Sequence, residues 1–230
     1  MDGEDLKSII RSIQLEILGK PNDSYDVLNM ATLGAAVDTA SYYNSHMYQT
    51  KNFANNIDLL THGISLITKP GLICEFGVAS GRTINHISNL CEQAIFGFDV
   101  FSGLPETWRT GFEAGAFAQS PPTVNKNVEL IVGLFQDTLP IFAKKYQEKI
   151  SFLHIDCDLY SATQTIFQCL GNKIQPGTVI VFDEYFNYPG WRHHEYKAFQ
   201  EWVRENNIKY HYDSLVSSHQ QVCVLIDAAG

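Results

Sequence analysis

Leu72-Ile73-Cys74-Glu75-Phe76-Gly77-Val78-Ala79-Ser80-Gly81-Arg82-Thr83 decides how the rest of this chain is read. The stretch passes from a short apolar segment, through glycines four apart, into residues with helical spacing. That is how a buried strand, a tight turn and a helix are written. Such a turn brings backbone N–H groups close to a ligand. The acid near the strand end, Glu75, suits sugar hydroxyls better than phosphate, so the turn points to a nucleoside rather than a dinucleotide. A plain tight connection is the competing reading of the same glycines.

Around this stretch the chain alternates. Short apolar segments at 72–76, 94–100, 128–132, 150–156 and 178–182 are separated by longer ones, several with helical spacing. The alternation predicts a parallel sheet with crossover helices. Two further segments, near 208–215 and 221–226, are joined by only Val216-Ser217-Ser218-His219-Gln220. So short a link permits a hairpin and no crossover helix, so one terminal strand should run antiparallel. Upstream, Phe53, Ile57, Leu60, Ile64 and Ile67 recur at helical spacing up to Lys69-Pro70, where proline prevents continuation. Leu6, Ile9, Ile10, Ile13 and Ile17 share one face of an expected helix over 5–18, stopped by Gly19 and Pro21. That helix is expected to pack on the core or on a second subunit, giving a homo-oligomer. Residues 22–50, where Tyr42, Tyr43, Met47 and Tyr48 cluster, carry no clear pattern. The expected division is an N-terminal helical extension over 1–50 and a main domain over 51–230.

At 230 residues with 45% hydrophobic content, the chain can bury a full core as one domain with an added segment. No apolar run reaches the roughly 18 to 20 residues of a membrane span, and Met1-Asp2-Gly3-Glu4-Asp5 lacks the basic start of a secretory signal. The expectation is a soluble, cytoplasmic protein with no membrane partner. A formal charge of −9 repels phosphate backbones and argues against nucleic acid, favouring small substrates or divalent cations. The cysteines (Cys74, Cys91, Cys157, Cys169 and Cys223) are odd in number and never spaced C-x-x-C. Neither a disulfide framework nor a thiolate zinc site is indicated.

In an open parallel sheet, ligands sit at the carboxyl ends of the strands. The second strand ends in Asp99, whose carboxylate can accept hydrogen bonds from both ribose hydroxyls of a nucleoside or can cap the next segment. After the third, Gly133-Leu134-Phe135-Gln136-Asp137 offers an aromatic face for adenine and polar groups for its exocyclic amine. The fourth ends in His154-Ile155-Asp156-Cys157-Asp158 and the fifth in Asp183-Glu184. Carboxylates gathered at adjacent strand ends repel one another unless a cation or shared proton neutralises them. Oxygen-only ligation suits Mg²⁺ or another hard divalent ion. Separate solvated acids or helix caps are the plainer reading. His154, two residues before Asp156, is expected to be a core histidine turned to the other face. Ser102 to Asn127 is rich in Gly, Pro and Phe and lacks periodicity, as a binding loop or lid would. Its Trp108, Phe112 and Phe117 are expected either to close over an apolar substrate or to pack on the N-terminal helix.

Together these motifs resemble class I S-adenosylmethionine-dependent methyltransferases, and more narrowly the macrocin O-methyltransferase family, which methylates sugar hydroxyls on macrolides. The carrying residues are Glu75 to Gly81, Asp99 to Glu106, Phe135 to Pro140, His154 to Tyr160, and Pro176-Gly177 to Asp183-Glu184-Tyr185. They span about 70 to 200 in the family's order. The resemblance implies an α/β, Rossmann-like fold: a seven-stranded, mostly parallel sheet with its last strand antiparallel and helices on both faces. It implies that Glu75, Gly77 and Gly81 hold the methionine and ribose portions of S-adenosylmethionine. Asp99 would take the ribose hydroxyls, and Gln136 with Asp137 the adenine. Asp156, Asp183 and Glu184 would bind Mg²⁺, with Asp156 also the catalytic base toward a hydroxylated small molecule. The related catechol-type enzymes carry a lysine three residues beyond the first metal acid, where this chain has Leu159. Asp158, His193 and His194 are therefore alternative bases. A nucleotide-cofactor oxidoreductase is disfavoured by the lack of a tight G-x-G-x-x-G turn. A noncatalytic cofactor-binding domain would have no use for the later acids.

Overall fold

The computed structural model describes residues 25–228. The helix expected over 5–18 lies outside these residues. The described residues fall into two units. The first holds helix α1 (Val27–His46) with residues 187–190. Asp26 caps α1, its carboxylate accepting the N–H groups of Leu28 (2.8 Å) and Asn29 (3.1 Å). Within this unit the Asn187 N–H donates to the Thr39 hydroxyl at 2.9 Å. Only Ala35 and Tyr42 of α1 are buried, so the helix has no apolar stripe to betray it in sequence.

The second unit holds residues 49–186 and 191 onward. In chain order it contains β1 (Lys51–Asn52), α2 (Asn56–Ser65), β2 (Leu72–Phe76), α3 (Arg82–Asn89), β3 (Ile95–Asp99) and β4 (Val128–Val132). These are followed by α4 (Phe135–Lys145), β5 (Ile150–Ile155), α5 (Tyr160–Leu170), β6 (Val179–Phe182), α6 (Glu195–Glu205), β7 (Lys209–Leu215) and β8 (Val222–Ala228). The strands form one sheet in the order β1-β7-β8-β6-β5-β2-β3-β4. All neighbours pair in parallel except β8, which runs antiparallel to both β6 and β7. Seven strands fall on the segments read from the sequence, and the last is the antiparallel one, on a Rossmann-like fold. The eighth, β1, pairs Lys51 with Ser214 and Asn52 with Leu215 at the sheet edge. Two residues are too few to display a strand period.

The strands read as unbroken apolar runs because both faces of the sheet are covered. On one face Ile73, Ile95, Phe152, Val179 and Val181 meet Leu59 and Leu60 of α2 and Ile84 and Ile87 of α3. The other face is aromatic. Phe98 stands edge-on to Phe142 of α4 with ring centroids 5.0 Å apart, and Phe182 meets Phe199 of α6 at 5.1 Å. Burying one such ring contributes about 1.5–3 kcal/mol. Among the described residues, no helix is long and apolar enough to cross a membrane.

Strand order proceeds from β2 outward to β3 and β4, then resumes with β5 on the other side of β2. The reversal therefore lies between β2 and β5, where a parallel sheet opens a crevice beyond its strand ends. Register sets what faces that crevice. Glu75 of β2 stands beside His154 of β5, and His154 beside Val181 of β6. The ladder continues past the strand ends, with the Asp156 N–H donating to Phe76 (2.9 Å) and the Asp183 N–H to Ile155 (2.9 Å). Residues two apart in a strand share a face. His154 is a fully buried core residue, as expected, but it shares the face of Asp156 instead of turning away from it.

Candidate active site

A cavity of about 410 Å³ opens at these strand ends. Gly77, Ala79, Asp99, Gln136, Asp156, Asp158 and Glu184 are among the residues that line it. Glu75, Gly81, Asp137 and Asp183 are not among the wall residues. The cavity therefore brings together part of the residue set expected from sequence and leaves the rest behind it.

Gly77 follows β2 at φ +90°, its N–H donating to the Phe98 carbonyl at 2.9 Å. A Cβ there would sit 1.7 Å from the Asp156 carbonyl oxygen, so no side chain fits where the turn crosses the end of β5. Gly81, at φ +77°, opens α3. Between them, one carboxylate holds the turn. Asp99 Oδ2 accepts the N–H groups of Val78 (2.9 Å) and Ala79 (2.8 Å), and Oδ1 accepts that of Phe101 (2.7 Å). Ala79 and Phe101 both have positive φ, 44° and 55°, a region costly for residues with a side chain. Asp99 offsets that cost at both places. It also lines the cavity, so the capping role and contact with a ligand are compatible.

Glu75 is fully buried and turned away from the cavity. One carboxylate oxygen accepts from the Thr83 hydroxyl (3.1 Å), and the other takes Nδ1–H of His154 at 2.9 Å. Burial raises the Glu75 pKa, and the contacts with His154 and Thr83 offset part of that rise. On the far side of the imidazole, His154 Nε2 lies 3.9 Å from Asp183 Oδ1, an ion-pair separation too long for a hydrogen bond. Burial pulls the His154 pKa down, but Asp183 and Glu75 outweigh it and hold the ring well above its usual value. Burial alone would raise Asp183 too. The His154 imidazole and Gln221, whose amide donates to Asp183 Oδ2 at 3.1 Å, bring it below the usual range instead.

The remaining acids crowd together. Burial, followed by the charge of Asp183, pushes Asp156 and Glu184 well above the carboxylate range. Asp158, at φ +62°, is raised by burial to about 7, although the Arg109 guanidinium works against the rise. Such a set is stable only with protons or a cation among its members. His154, Asp156 and Asp183 each offer one donor atom within 4.8 Å of the others. His154 stands in this trio where Glu184 is expected from the sequence. Glu184 lines the cavity but falls outside that closest trio.

Several residues escaped the sequence reading. Glu195, the first residue of α6, is fully buried. Its Oε1 accepts the N–H groups of Cys157 (3.3 Å) and Asp158 (3.2 Å), and its Oε2 that of Glu184 (3.3 Å). One side chain thus ties the loop after β5 to the loop after β6. An acid in a helix's first turn is usually a solvated dipole partner, and nothing in residue type reveals its burial. His219 and Gln220, in the β7–β8 link, line the cavity, and the Gln220 carbonyl accepts the Tyr185 N–H at 3.0 Å. Arg109 also lines it, stacked 3.9 Å from the Trp108 ring and 4.9 Å from Phe112. Of the alternative bases, Asp158 is on the wall and His193 and His194 are not.

The long insertion forms part of the cavity wall through Trp108, Phe112 and Phe117. Trp108 and Phe112 pack at 5.2 Å and Phe112 and Phe117 at 5.4 Å. The far end is tied to α3, with the Asn125 N–H donating to Asn85 Oδ1 at 2.9 Å.

Residues 74–185 match the family model described as a methyltransferase domain. No curated protein matches the chain in sequence. Among solved structures, CalS11, a calicheamicin methyltransferase, aligns with a TM-score of 0.58 at 21% identity, over 98% of this chain and 93% of its own. The O-methyltransferase NovP aligns with a TM-score of 0.60 at 18% identity, over 75% of this chain and 79% of its own. At such identities the likeness establishes the fold. The glycine turn, Asp99 and the acids after β5 and β6 all lie within the span matched by the methyltransferase-domain model.

Proposed function

We propose that this protein transfers the methyl group of S-adenosylmethionine to a hydroxyl of a small molecule, with a divalent cation such as Mg²⁺ held among its acids. The supporting observation is the set of residues that share one cavity wall. The Asp99-braced turn and Gln136 line it together with Asp156, Asp158 and Glu184. The narrower kinship, with enzymes that methylate sugar hydroxyls of macrolide-type natural products, is part of the same proposal. It rests on the order and spacing of the motifs from Glu75 to Tyr185. A noncatalytic cofactor-binding domain would have no use for a carboxylate cluster aimed into the cavity.

In this reading Gly77 lets the donor approach the backbone, Asp99 takes the ribose hydroxyls, and Gln136 with Asp137 serves the adenine from the start of α4. The acceptor oxygen attacks the methyl carbon in line as the S–C bond breaks, leaving S-adenosylhomocysteine. The acceptor's proton passes to Asp156, or to Asp158 on the same wall. A bound divalent cation supplies stabilisation of the developing alkoxide and orients a neighbouring oxygen. Asp156, Asp183 and Glu184 are the oxygens assigned to it, and the orphaned Asp183 Oδ1, buried without a hydrogen bond, fits such a partner. Trp108, Phe112 and Phe117 exclude water from the acceptor's apolar part.

Calorimetric titration with S-adenosylmethionine against NAD⁺ tests the donor assignment. Binding of the first and not the second is expected, and the reverse would overturn it.

A further inference from the structure

His154 is the one imidazole sunk into the acid cluster among the described residues, and its surroundings are built to aim it. Its side chain and that of Glu75 are both wholly buried. Nδ1 is committed to Glu75 at 2.9 Å, and Glu75 is itself fixed by Thr83 at 3.1 Å. The carboxylate therefore sets which nitrogen carries a proton. That leaves Nε2 facing Asp183, buried and without a hydrogen-bond partner, in a trio whose donor atoms, one each from His154, Asp156 and Asp183, lie within 4.8 Å of one another. Asp183 Oδ1 is likewise buried and unbonded at 3.9 Å from it. Two donors about 2.1 Å from one ion stand about 3.0 Å apart when adjacent and about 4.2 Å when opposed. A separation of 3.9 Å is therefore too long for a hydrogen bond and falls within the span of two donors sharing a cation. A carboxylate holding the far nitrogen of a histidine is the arrangement by which proteins orient imidazole ligands toward metals.

We propose that His154 Nε2 is a direct metal ligand beside Asp156 and Asp183, and that Glu75 is the positioning residue behind it. This rests on the reading of the acid cluster as a cation site and extends it. An imidazole nitrogen among the oxygen donors favours a first-row transition ion, such as Mn²⁺ or Co²⁺, over Mg²⁺, which takes oxygen ligands. It also gives Glu75 a role consistent with its burial behind the cavity. An imidazolium held between Glu75 and Asp183 is the competing arrangement.

Electron spin echo spectroscopy of Mn²⁺ bound to the full chain decides between them, because a ligating imidazole modulates the echo through its ¹⁴N nucleus. The expected result is a nitrogen coupling that persists in His219→Asn and disappears in His154→Asn, together with Mn²⁺ affinity at least tenfold above that for Mg²⁺ by calorimetry. Glu75→Gln should keep the coupling while weakening Mn²⁺ binding by about 10- to 100-fold. Mn²⁺ that binds without nitrogen coupling, or with coupling that survives His154→Asn, overturns the role of His154 and leaves the cation site standing. No Mn²⁺ or Mg²⁺ binding at all overturns both. If His154→Asn does not fold, the wild-type and His219→Asn spectra still decide: coupling in both supports the proposal, and its absence from either overturns it.

Discussion

Glu195 Oε1 receives the Asp158 N–H at 3.2 Å, joining the first residue of α6 to the acid loop that follows β5. The same carboxylate also holds Cys157 and, through its other oxygen, Glu184. Burial, with the charge of Asp158 next, pushes the Glu195 pKa well up. Three backbone donors converge here on a side chain that does not line the cavity. Glu195→Ala strands those buried N–H groups, and a buried donor left unsatisfied costs about 1–3 kcal/mol. Urea unfolding should show a loss of at least about 2 kcal/mol, with methyl transfer falling further than S-adenosylmethionine affinity. A variant as stable and active as the parent would remove Glu195 from the account.

Asp99→Asn keeps one acceptor oxygen where the turn uses two. The left-handed Ala79 and Phe101 then compete for it, and the glycine turn loosens. S-adenosylmethionine affinity should drop by more than about tenfold, matching the loss of one charged hydrogen bond. Calorimetry on the folded variant checks this, and unchanged affinity would show that the turn does not depend on Asp99.

Gly77→Ala places a methyl group 1.7 Å from the Asp156 carbonyl oxygen at a φ of +90°. The backbone preference alone costs about 1–2 kcal/mol, and the clash adds to it. The melting temperature should fall by several degrees and Mg²⁺ affinity should weaken, since Asp156 must move. Retention of both would mean that the turn and β5 are less tightly opposed than described.

The pH dependence of stability follows from the acids. Asp158 titrates at about 7 when folded because burial, aided by Asp183, outweighs Arg109, whereas an unfolded aspartate titrates near 3.9. Between these values the folded chain holds a proton that the unfolded chain has released, so stability declines as pH rises through that window. Asp156, Glu184 and Glu195 act in the same direction, and Asp183, held low, acts against them. In EDTA the urea midpoint should fall between about pH 4.5 and 7.5, and Mg²⁺ should flatten that slope. A midpoint that rises with pH in EDTA would contradict the sign.

Much of this was legible in the sequence. Seven strands announced themselves as apolar runs, and the short link from Val216 to Gln220 required the antiparallel end. The acids at 156, 183 and 184 stood where strand ends should be. What stayed hidden depends on register and burial. Glu75 reads as a ligand-facing acid until its pairing with His154 turns it inward. His154 reads as a bystander until the strand period is applied to it and Asp156 together. Helix α1 lacks an apolar stripe, and Glu195, like any first-turn acid, gives no sign of carrying three backbone bonds.

The central claim is methyl transfer to a hydroxyl at a site that depends on a cation held by Asp183. Transfer of labelled methyl from S-adenosylmethionine to hydroxylated acceptors, measured in Mg²⁺ and in EDTA for the parent chain and Asp183→Ala, tests it most directly. The account predicts methylation of acceptors with a hydroxyl beside a second oxygen, reduced by about 100-fold or more in EDTA and in the variant. Transfer that proceeds equally well in EDTA and in Asp183→Ala would contradict it.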